Sequence, residues 1–485
     1  MPTHHDLRAE AHQAMLANDF IPDMPPAVTT EAASASDVAA EEADIPDLRQ
    51  LPWSSIDNDS SRDLDQLEVA ERLDGGDVRV RVAIADVDAT VTRGSVTDNF
   101  AAANAVSVYT GVVTYPMLPE RFSTDLTSLG QGDVRASVVI EFVVTSDGTI
   151  RSHSIYRARV ENHAKLAYNS VGAWLDGRGD LPASATPEIQ DQLRLQDSVA
   201  HLLRALRARA GALDLETIEA QPVVHADDTI DIELVRKTRA SNLIEDFMIA
   251  ANVTMAQFLD EHNSPTIRRI VRTPDRWNRI VALAATMGTA LPQQPDSATL
   301  EAFLARQRAA DPDHFADLSL SVVKLIGPGE YALHTPGSPD AGHFGLATHD
   351  YTHSTAPNRR FADLVTQRLL KAVLAGKQSP YTNDELAQIA QHCTERENAA
   401  RKVERQVRKD VAAVSMMDRV GQSFDAIVTG ASPKGTYVRL IAPPIEGRVV
   451  RGEQGMDVGE RVRVKLLSTD PKRGFIDFGG IHQAH

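Results

Sequence analysis

The feature that most constrains the fold is a succession of five short β-forming runs that follows Gly421. Each run is rich in Val, Ile, Tyr or Phe, and Gly, Pro or Asp residues stand between the runs. Short strands at this spacing are typical of a small closed barrel. The runs occupy residues 424–431, 435–442, 446–450, 460–468 and 473–478. The sequence therefore predicts a five-stranded β-barrel at 422–485.

The region before Gly421 mixes strand and helix patterns. Apolar residues alternate at 77–91 and on both sides of 146–148, where Asp147-Gly148 predicts a hairpin turn. Helical periodicity follows, with Gly211 expected to end the first helix. The predicted helices span 189–211, 242–262, 297–310, 361–376 and 384–420. The predicted fold class is α+β, with a mixed α/β body at 51–421 that precedes the barrel.

Residues 1–50 form an acidic arm that differs in composition from the rest of the chain. The arm is rich in Ala and Pro and carries ten acidic side chains against Arg8 and Arg49, which places −8 of the net charge of −17 there. Helices are expected at 5–18 and 34–43. Two interpretations remain open: a solvated tail without specific function, or a small helical subdomain that docks on the body or on substrate.

Composition excludes several classes of protein. The single cysteine, Cys393, cannot form an internal disulfide, so a reducing cytoplasm is the expected location. No apolar run is long enough to span a bilayer, and the N-terminus does not resemble a secretory signal. The acidic total argues against nucleic acid as a partner. However, residues 422–485 carry nine basic and seven acidic side chains, so the barrel is basic.

Four aspartates lie within nine residues, directly after the apolar segment that ends at Ile56. They are Asp57, Asp59, Asp63 and Asp65. Carboxylates this close raise one another's pKa unless a cation compensates them, and oxygen ligands suit Mg²⁺ or Mn²⁺. A solvated acidic turn is the alternative. A calcium loop is disfavoured, because Arg62 stands at the sixth position, where such a loop needs Gly.

The pattern Asp57-x5-Asp63-x-Asp65, followed by VAIADVDATVTRGS at 82–95, resembles the catalytic domain of the ribonuclease II (RNB) family of exoribonucleases. The resemblance continues in the family's order at 107–137, 242–252 and 343–370. The barrel resembles an S1-type RNA-binding domain of the OB-fold. The family often carries two cold-shock barrels before its catalytic domain. The 50-residue arm is too short and too rich in Ala to form them, so we expect this chain to lack them.

The resemblance implies catalytic and metal-binding roles for named residues. Asp57 and Asp63 match metal ligands, Asp65 matches the aspartate most closely tied to the chemistry, and Arg359 matches the arginine at the scissile phosphate. Gln66 stands where the family has a fourth aspartate, so it is a weaker, neutral ligand. The implied cofactor is Mg²⁺, or Mn²⁺ in its place, as one or two ions. Asp59 has no counterpart in the family.

The resemblance also implies a path for RNA. Tyr109 matches an aromatic that stacks on a base near the 3′ end, and Glu245 matches a carboxylate at the exit end. Leu213 and Leu215 stand where an opposing aromatic is expected. The remaining RNA-binding residues that the resemblance implies are Arg360, in the Ala-Pro-Asn-Arg-Arg-Phe segment, and a set expected on one face of the barrel: Phe424, Lys434, Tyr437 and Arg439.

We therefore expect a Mg²⁺-dependent, processive 3′-to-5′ exoribonuclease that releases nucleoside 5′-monophosphates from single-stranded RNA. The expected protein is a cytoplasmic monomer without a membrane partner. The alternative is a catalytically silent RNA-binding protein, because Gln66 and the altered segment at 356–358 depart from the family pattern.

Overall fold

The computed structural model describes residues 4–36, 44–216, 219–224, 230–312, 314–339, 341–432, 435–456 and 459–481. The α-helices are α1 (His4–Ala17), α2 (Pro26–Ser34), α3 (Val96–Asn104), α4 (Tyr168–Leu175), α5 (Pro187–Arg209), α6 (Arg239–Glu261), α7 (Trp277–Thr286), α8 (Ser297–Ala310), α9 (Phe315–Ile326), α10 (Phe361–Leu374) and α11 (Asn383–Ser415). The strands of the body are β1 (Ser54–Asp57), β2 (Gln66–Arg72), β3 (Val78–Ala85), β4 (Val108–Tyr109), β5 (Thr114–Tyr115), β6 (Val134–Val144), β7 (Ile150–Glu161), β8 (Ala164–Ala167), β9 (Glu219–Val224), β10 (Ile230–Val235), β11 (Thr266–Ile270) and β12 (Glu330–His334). The strands of the barrel are β13 (Ser423–Ser432), β14 (Gly435–Leu440), β15 (Glu446–Arg451), β16 (Arg461–Asp470) and β17 (Phe475–Gly480).

A six-stranded sheet lies at the centre of the body, in the order β7-β6-β3-β2-β1-β8. Neighbouring strands are antiparallel except β1 and β8, which are parallel. The hairpin of β6 and β7 turns at Gly148, whose φ of +90° suits a residue without a side chain. Helices α5 and α6 pack against the sheet, so one core joins Leu67 and Val82 to Phe247 of α6. The sheet therefore provides a rigid support for the loops at its ends.

The barrel at the C-terminal end is closed in the order β13-β14-β15-β17-β16. Its interior holds Val428, Val438, Leu466 and Phe478, all nearly inaccessible to solvent. Gly447 is required there, because a Cβ at this position would lie 2.4 Å from the ring of Phe478. The predicted α+β fold class and the five-stranded OB-fold barrel are both confirmed.

Long helices flank the loop that contains Arg359. Helix α10 begins directly after this loop, at Phe361, as predicted. Helix α11 begins with a capping box between Thr382 and Glu385, in which each side chain bonds the backbone N–H of the other residue. It ends at Ser415 rather than at 420, because a 3₁₀ turn at Met417–Arg419 tightens the chain before the barrel.

The arm docks on the body through two helices. Leu7, Ala11 and Met15 of α1 are buried against α11, and the side chain of Glu31 in α2 accepts backbone and hydroxyl hydrogen bonds from Thr97. Helix α2 precedes the segment predicted at 34–43, of which residues 37–43 lie outside the described residues. In the structure the arm is docked on the body, which agrees with the interpretation of a small helical subdomain. The boundaries of the arm, body and barrel at residues 50 and 421 stay predictions.

Two further observations concern the class of protein. Among the described helices, none combines the length and apolar character that a membrane span requires. Cys393, the single cysteine of the sequence, is buried in α11.

Candidate active site

The aspartate loop connects two neighbouring strands of the central sheet. Asp57 is the last residue of β1, and Gln66 is the first residue of β2. Leu64 anchors the loop, because its side chain is buried, its N–H donates to the Ser128 hydroxyl and its carbonyl accepts from the Leu129 N–H. Leu64 lies between Asp63 and Asp65 in the sequence, and the carboxylates of these two aspartates border one large cavity.

Asp65 is the most enclosed of the three family-matched aspartates, with 4% of its side chain exposed. Its Oδ1 accepts a hydrogen bond of 3.1 Å from the backbone N–H of Asn358, and its Oδ2 lies 3.5 Å from Nε of Arg359. Burial raises the pKa of Asp65 to about 7, although Arg359 and the Asn358 N–H both act to lower it. A carboxyl group with this pKa can exchange a proton near neutral pH.

Asp57 and Asp63 lie nearer the solvent. Oδ1 of Asp57 accepts from the Ser61 hydroxyl at 3.0 Å and from the Asn58 N–H at 2.6 Å. Burial raises the pKa of Asp63, and the charge of Asp57 raises it further. The two carboxylates therefore repel each other, and the charge of Arg359 offsets only part of the rise in the pKa of Asp63. Asp59 is exposed and does not border the cavity.

Gln66 and Glu68 continue along β2 from the aspartate loop. Gln66 borders the same cavity as the aspartates. Glu68 is fully buried two residues further on, and neither of its carboxyl oxygens has a hydrogen-bond partner among the described residues. Burial, with the charge of Asp57, raises the pKa of Glu68 well above its ordinary value. Burial of Glu68 therefore disfavours its charged form beside the aspartate loop.

Arg359 and Arg360 are adjacent in sequence but point to different surroundings. The side chain of Arg359 is 45% exposed and borders the cavity next to Asp65. The guanidinium of Arg360 donates to both carboxyl oxygens of Asp363, at 2.9 and 2.7 Å, and Asp363 also accepts the Ala356 N–H. Arg360 therefore ties the segment 356–360 to the first turn of α10. Its predicted contact with RNA is untested.

Asn358, in the segment that departs from the family pattern, is buried and holds its place through two bonds. Its Oδ1 accepts from the Thr127 hydroxyl at 2.6 Å, and its main-chain N–H donates to Asp65. Because the contact with Asp65 uses the main chain, it does not depend on which side chain stands at this position.

Tyr109 projects into the cavity from β4, with 42% of the residue exposed. Its hydroxyl lies 3.4 Å from Oδ2 of Asp63, and its backbone N–H donates to Oε1 of Glu404 in α11. The exposed ring is available for stacking on a planar group. Leu213 and Leu215 pack against a separate apolar cluster of α7, α8 and α9, so they do not face Tyr109 as an opposing clamp.

The cavity has a volume of about 1000 Å³. Asp57, Asp63, Asp65, Gln66, Tyr109, Glu245 and Arg359 all border it, so the structure brings together seven of the predicted residues. Glu245 forms an ion pair of 2.6 Å with Lys237 at its own wall. Arg8, Glu404 and Arg408 are among the lining residues that we did not predict. No local motif marks them, since each reaches the cavity through the packing of α1 on α11.

The donor set fits a hard divalent cation in its chemistry. The three aspartates offer carboxylate oxygens and Gln66 offers an amide oxygen, which are the ligand types that Mg²⁺ and Mn²⁺ prefer. Among the described residues, no three His, Cys, Asp or Glu side chains converge as a complete ligand group. The residues that could hold an ion are therefore Asp57, Asp63, Asp65 and Gln66, with Glu68 behind them.

Phe424, Tyr437 and Arg439 of the barrel do not border this cavity. Phe424 packs partly buried against the barrel interior, while Tyr437 is 44% exposed on the outside. Arg439 forms an ion pair of 2.8 Å with Asp317 of α9, which fastens the barrel to the body. Lys434 lies outside the described residues. A shared RNA-binding face formed by Phe424 and Tyr437 is contradicted by this geometry, because alternate barrel positions point to opposite sides. The RNA-binding roles stay predictions.

Comparison with known domain families matches residues 45–376 to the RNB domain and residues 422–479 to the C-terminal S1 domain of RNase II-type exonucleases. Ribonuclease R 1 of Lactococcus lactis subsp. lactis (strain IL1403) is 28% identical over 96% of this chain and 60% of its own length. Ribonuclease R of Escherichia coli (strain K12) is 31% identical over 94% of this chain and 60% of its own length.

Among solved structures, RNase R of Mycoplasma genitalium in complex with ribose-methylated single-stranded RNA has a TM-score of 0.88. It is 23% identical, and the match covers 98% of this chain and 78% of that one, so the two share a fold. The chain spans about 60% of the length of the two curated relatives. Because the RNB domain alone matches more than half of the sequence, the chain belongs to the RNB-domain family and carries the S1 domain of RNase II-type exonucleases behind it.

Proposed function

We propose that the chain is a Mg²⁺-dependent exoribonuclease that shortens single-stranded RNA processively from its 3′ end and releases nucleoside 5′-monophosphates. The observation that carries the proposal is the position of Asp65 at the wall of the large cavity. There the carboxylate meets both the main chain of Asn358 and the guanidinium of Arg359. The two relatives are named ribonuclease R, which agrees with this activity.

The side chains of the cavity have different roles: some bind the RNA, and others stabilise charge during the reaction. Tyr109 offers an exposed ring on which the terminal base stacks, and stacking is indifferent to base identity. Arg359 offers a fixed positive charge in a planar fork, which suits a phosphoryl group and its developing negative charge. Asp65 lies beside Arg359 at the same point of the cavity, where it is placed to hold the ion or to pass a proton beside that phosphate.

A divalent ion, when bound, supplies Lewis-acid polarisation and neutralises charge at the phosphate. Asp57, Asp63, Asp65 and Gln66 are the residues that would hold it. The neutral Gln66 reduces the negative charge of this group, so we infer weaker ion binding than four carboxylates would give.

The alternative of a silent RNA-binding protein rests on Gln66 and on Asn358. The contact from Asn358 to Asp65 uses the main chain, so the unusual side chain leaves it in place. The arrangement of Asp65 and Arg359 therefore favours the enzyme over the silent protein.

The test is incubation of RNA that carries a 5′ label and a single-stranded 3′ tail, with Mg²⁺ or with EDTA. We expect metal-dependent release of mononucleotides, loss of that release in Asp65→Asn, and no change in Asp59→Asn. Asp59 is a matched control because it lies in the same loop but does not border the cavity. RNA binding without any shortening under Mg²⁺ would leave only the silent alternative.

A further inference from the structure

The docked helix α1 of the arm borders the same cavity as the aspartates. Leu7, Ala11 and Met15 form its buried face, which packs with Val403 and Val407 of α11 in one apolar cluster. Arg8 follows Leu7 and is exposed, and its side chain lines the cavity. The acidic arm therefore contributes a cation to the wall of the site.

The far end of this helix is also fastened to the body. The guanidinium of Arg396 donates to the carbonyls of Asn18 and Asp19, both at 2.9 Å, and lies 5.1 Å from the centre of the Phe20 ring. The backbone of Ile21 exchanges two hydrogen bonds of 3.0 Å with the Asn104 side chain. Because α1 is held along its length, Arg8 keeps a defined place at the cavity.

A second arginine reaches the cavity from α11. Glu404, which accepts the Tyr109 N–H, and Arg408 both border the cavity and lie one helical turn apart, which is about 6 Å along the axis. Arg408 is exposed. Within the described residues, no ion pair involves Arg8 or Arg408, whereas Arg401 on the same face of α11 is paired with Glu397.

The carboxylates of the cavity wall oppose RNA binding, and Arg8 and Arg408 can offset this repulsion. Asp57, Asp63, Asp65 and Glu245 place negative charge on one part of the wall, which repels a polyanion. Arginines without carboxylate partners are suited to phosphate, because a guanidinium binds its oxygens through two parallel hydrogen bonds. Arg8 and Arg408 thus join Arg359 as cations on a wall that also carries these carboxylates.

We propose that Arg8 and Arg408 form a phosphate-binding pair for the RNA backbone, upstream of the nucleotide that stacks on Tyr109. This inference rests on the proposed function and deepens it, since it assigns the arm a role in holding the substrate. The ligand is the sugar–phosphate backbone of a single strand, without preference for base. The pair acts in binding and does not touch the bond that is cleaved.

The experiment measures binding of a long 5′-labelled single-stranded RNA in EDTA over a salt series, by fluorescence anisotropy. Arg8→Ala and Arg408→Ala should each weaken binding at low salt by about threefold to tenfold. Each should also reduce the slope of log K against log salt by about 0.7, the value for one lost phosphate contact on a single strand. Arg8→Lys should retain most of the slope, because it keeps the charge.

Two control variants and a short substrate make the result specific. Arg405→Ala, in α11 but away from the cavity, and Arg49→Ala, whose side chain pairs with Asp47, should leave affinity and slope unchanged. With Mg²⁺, Arg8→Ala and Arg408→Ala should raise KM for the long RNA at unchanged kcat. Both variants should hydrolyse a dinucleotide at the wild-type rate, since its single phosphodiester is the one that is cleaved and leaves no upstream phosphate for the pair.

Unchanged affinity and slope in both variants, while the wild type shortens RNA, would overturn the pair and leave the proposed function intact. An equal loss of dinucleotide hydrolysis would also overturn it, because the pair would then act at the reacting centre. If the wild type binds RNA but does not shorten it, the proposed function fails, and the anisotropy series still decides the role of the pair.

Discussion

Arg359 and Arg360 are adjacent in sequence, yet their replacement should produce opposite effects on stability and activity. Arg360 makes two charged hydrogen bonds to Asp363, whose side chain is fully buried. Arg360→Ala leaves that carboxylate without its cation, which costs about 3–5 kcal/mol for a buried pair. Arg359 is 45% exposed and lies 3.5 Å from Asp65, so Arg359→Ala should cost less than about 1 kcal/mol of folding stability.

The assay compares thermal unfolding with RNA hydrolysis for the two variants. Arg359→Ala should unfold near the wild-type temperature and lose turnover by about a hundredfold or more, as when a group that stabilises transition-state charge is removed. Arg360→Ala should unfold at a clearly lower temperature. A double variant, Arg360→Met with Asp363→Leu, should recover much of the stability, because no charge is then left buried without a partner.

The reasoning would be refuted if Arg360→Ala unfolded at the wild-type temperature while RNA affinity fell. That result would mean that Arg360 contacts RNA directly, as the family resemblance first implied, and that its bonds to Asp363 contribute little.

Three further predictions follow from other contacts. Burial, with the nearby Glu10, raises the pKa of Asp410 to about 7. Between about pH 4 and pH 7 the unfolded chain has released this proton while the folded chain still holds it. The free energy of unfolding of the wild type should therefore fall as the pH rises through this range. Asp410→Asn should remove this loss. In urea unfolding, its free energy of unfolding should match that of the wild type at pH 4 and exceed it by a few kcal/mol at pH 8, at about 1.4 kcal/mol per pKa unit. Equal pH profiles of the two proteins would contradict the assignment. Gln66→Asp adds a full negative charge to the ligand group, so it should lower the unfolding temperature in the absence of metal. The same variant should bind Mg²⁺ about tenfold more tightly in calorimetry. Unchanged Mg²⁺ affinity would place Gln66 outside the ligand group. Tyr109→Ala should weaken RNA binding by about 1–3 kcal/mol with little effect on the salt slope, and Tyr109→Phe should retain the affinity, since stacking needs only the ring; a steep change in slope would argue against stacking.

Local patterns were sufficient for many of the secondary-structure elements: the five β-runs predicted the barrel. The resemblance to the RNB family, carried by motifs spread from Asp57 to Leu370, named seven residues that share one cavity. The β-runs are visible because turn residues and strand alternation are encoded locally.

Long-range packing was not accessible from the sequence in the same way. The net charge of residues 1–50 suggested a solvated tail as one interpretation, but the apolar stripe of Leu7, Ala11 and Met15 docks α1 and brings Arg8 to the cavity. The expectation that Phe424 and Tyr437 share a face was wrong, because the phase of side chains in a barrel depends on register. Arg360 turns to Asp363, a choice of partner that sequence adjacency to Arg359 did not indicate.

The hydrogen bond between Asp65 and Asn358 joins residues that are 293 positions apart. A ribosome adds residues in order, so the aspartate loop leaves the tunnel long before the segment that completes it. Until Arg359 has emerged and α10 has packed against the sheet, the chain has the acidic loop without its guanidinium. We therefore expect a nascent or truncated chain that ends before Arg359 to be inert toward RNA, including the message from which it is being translated.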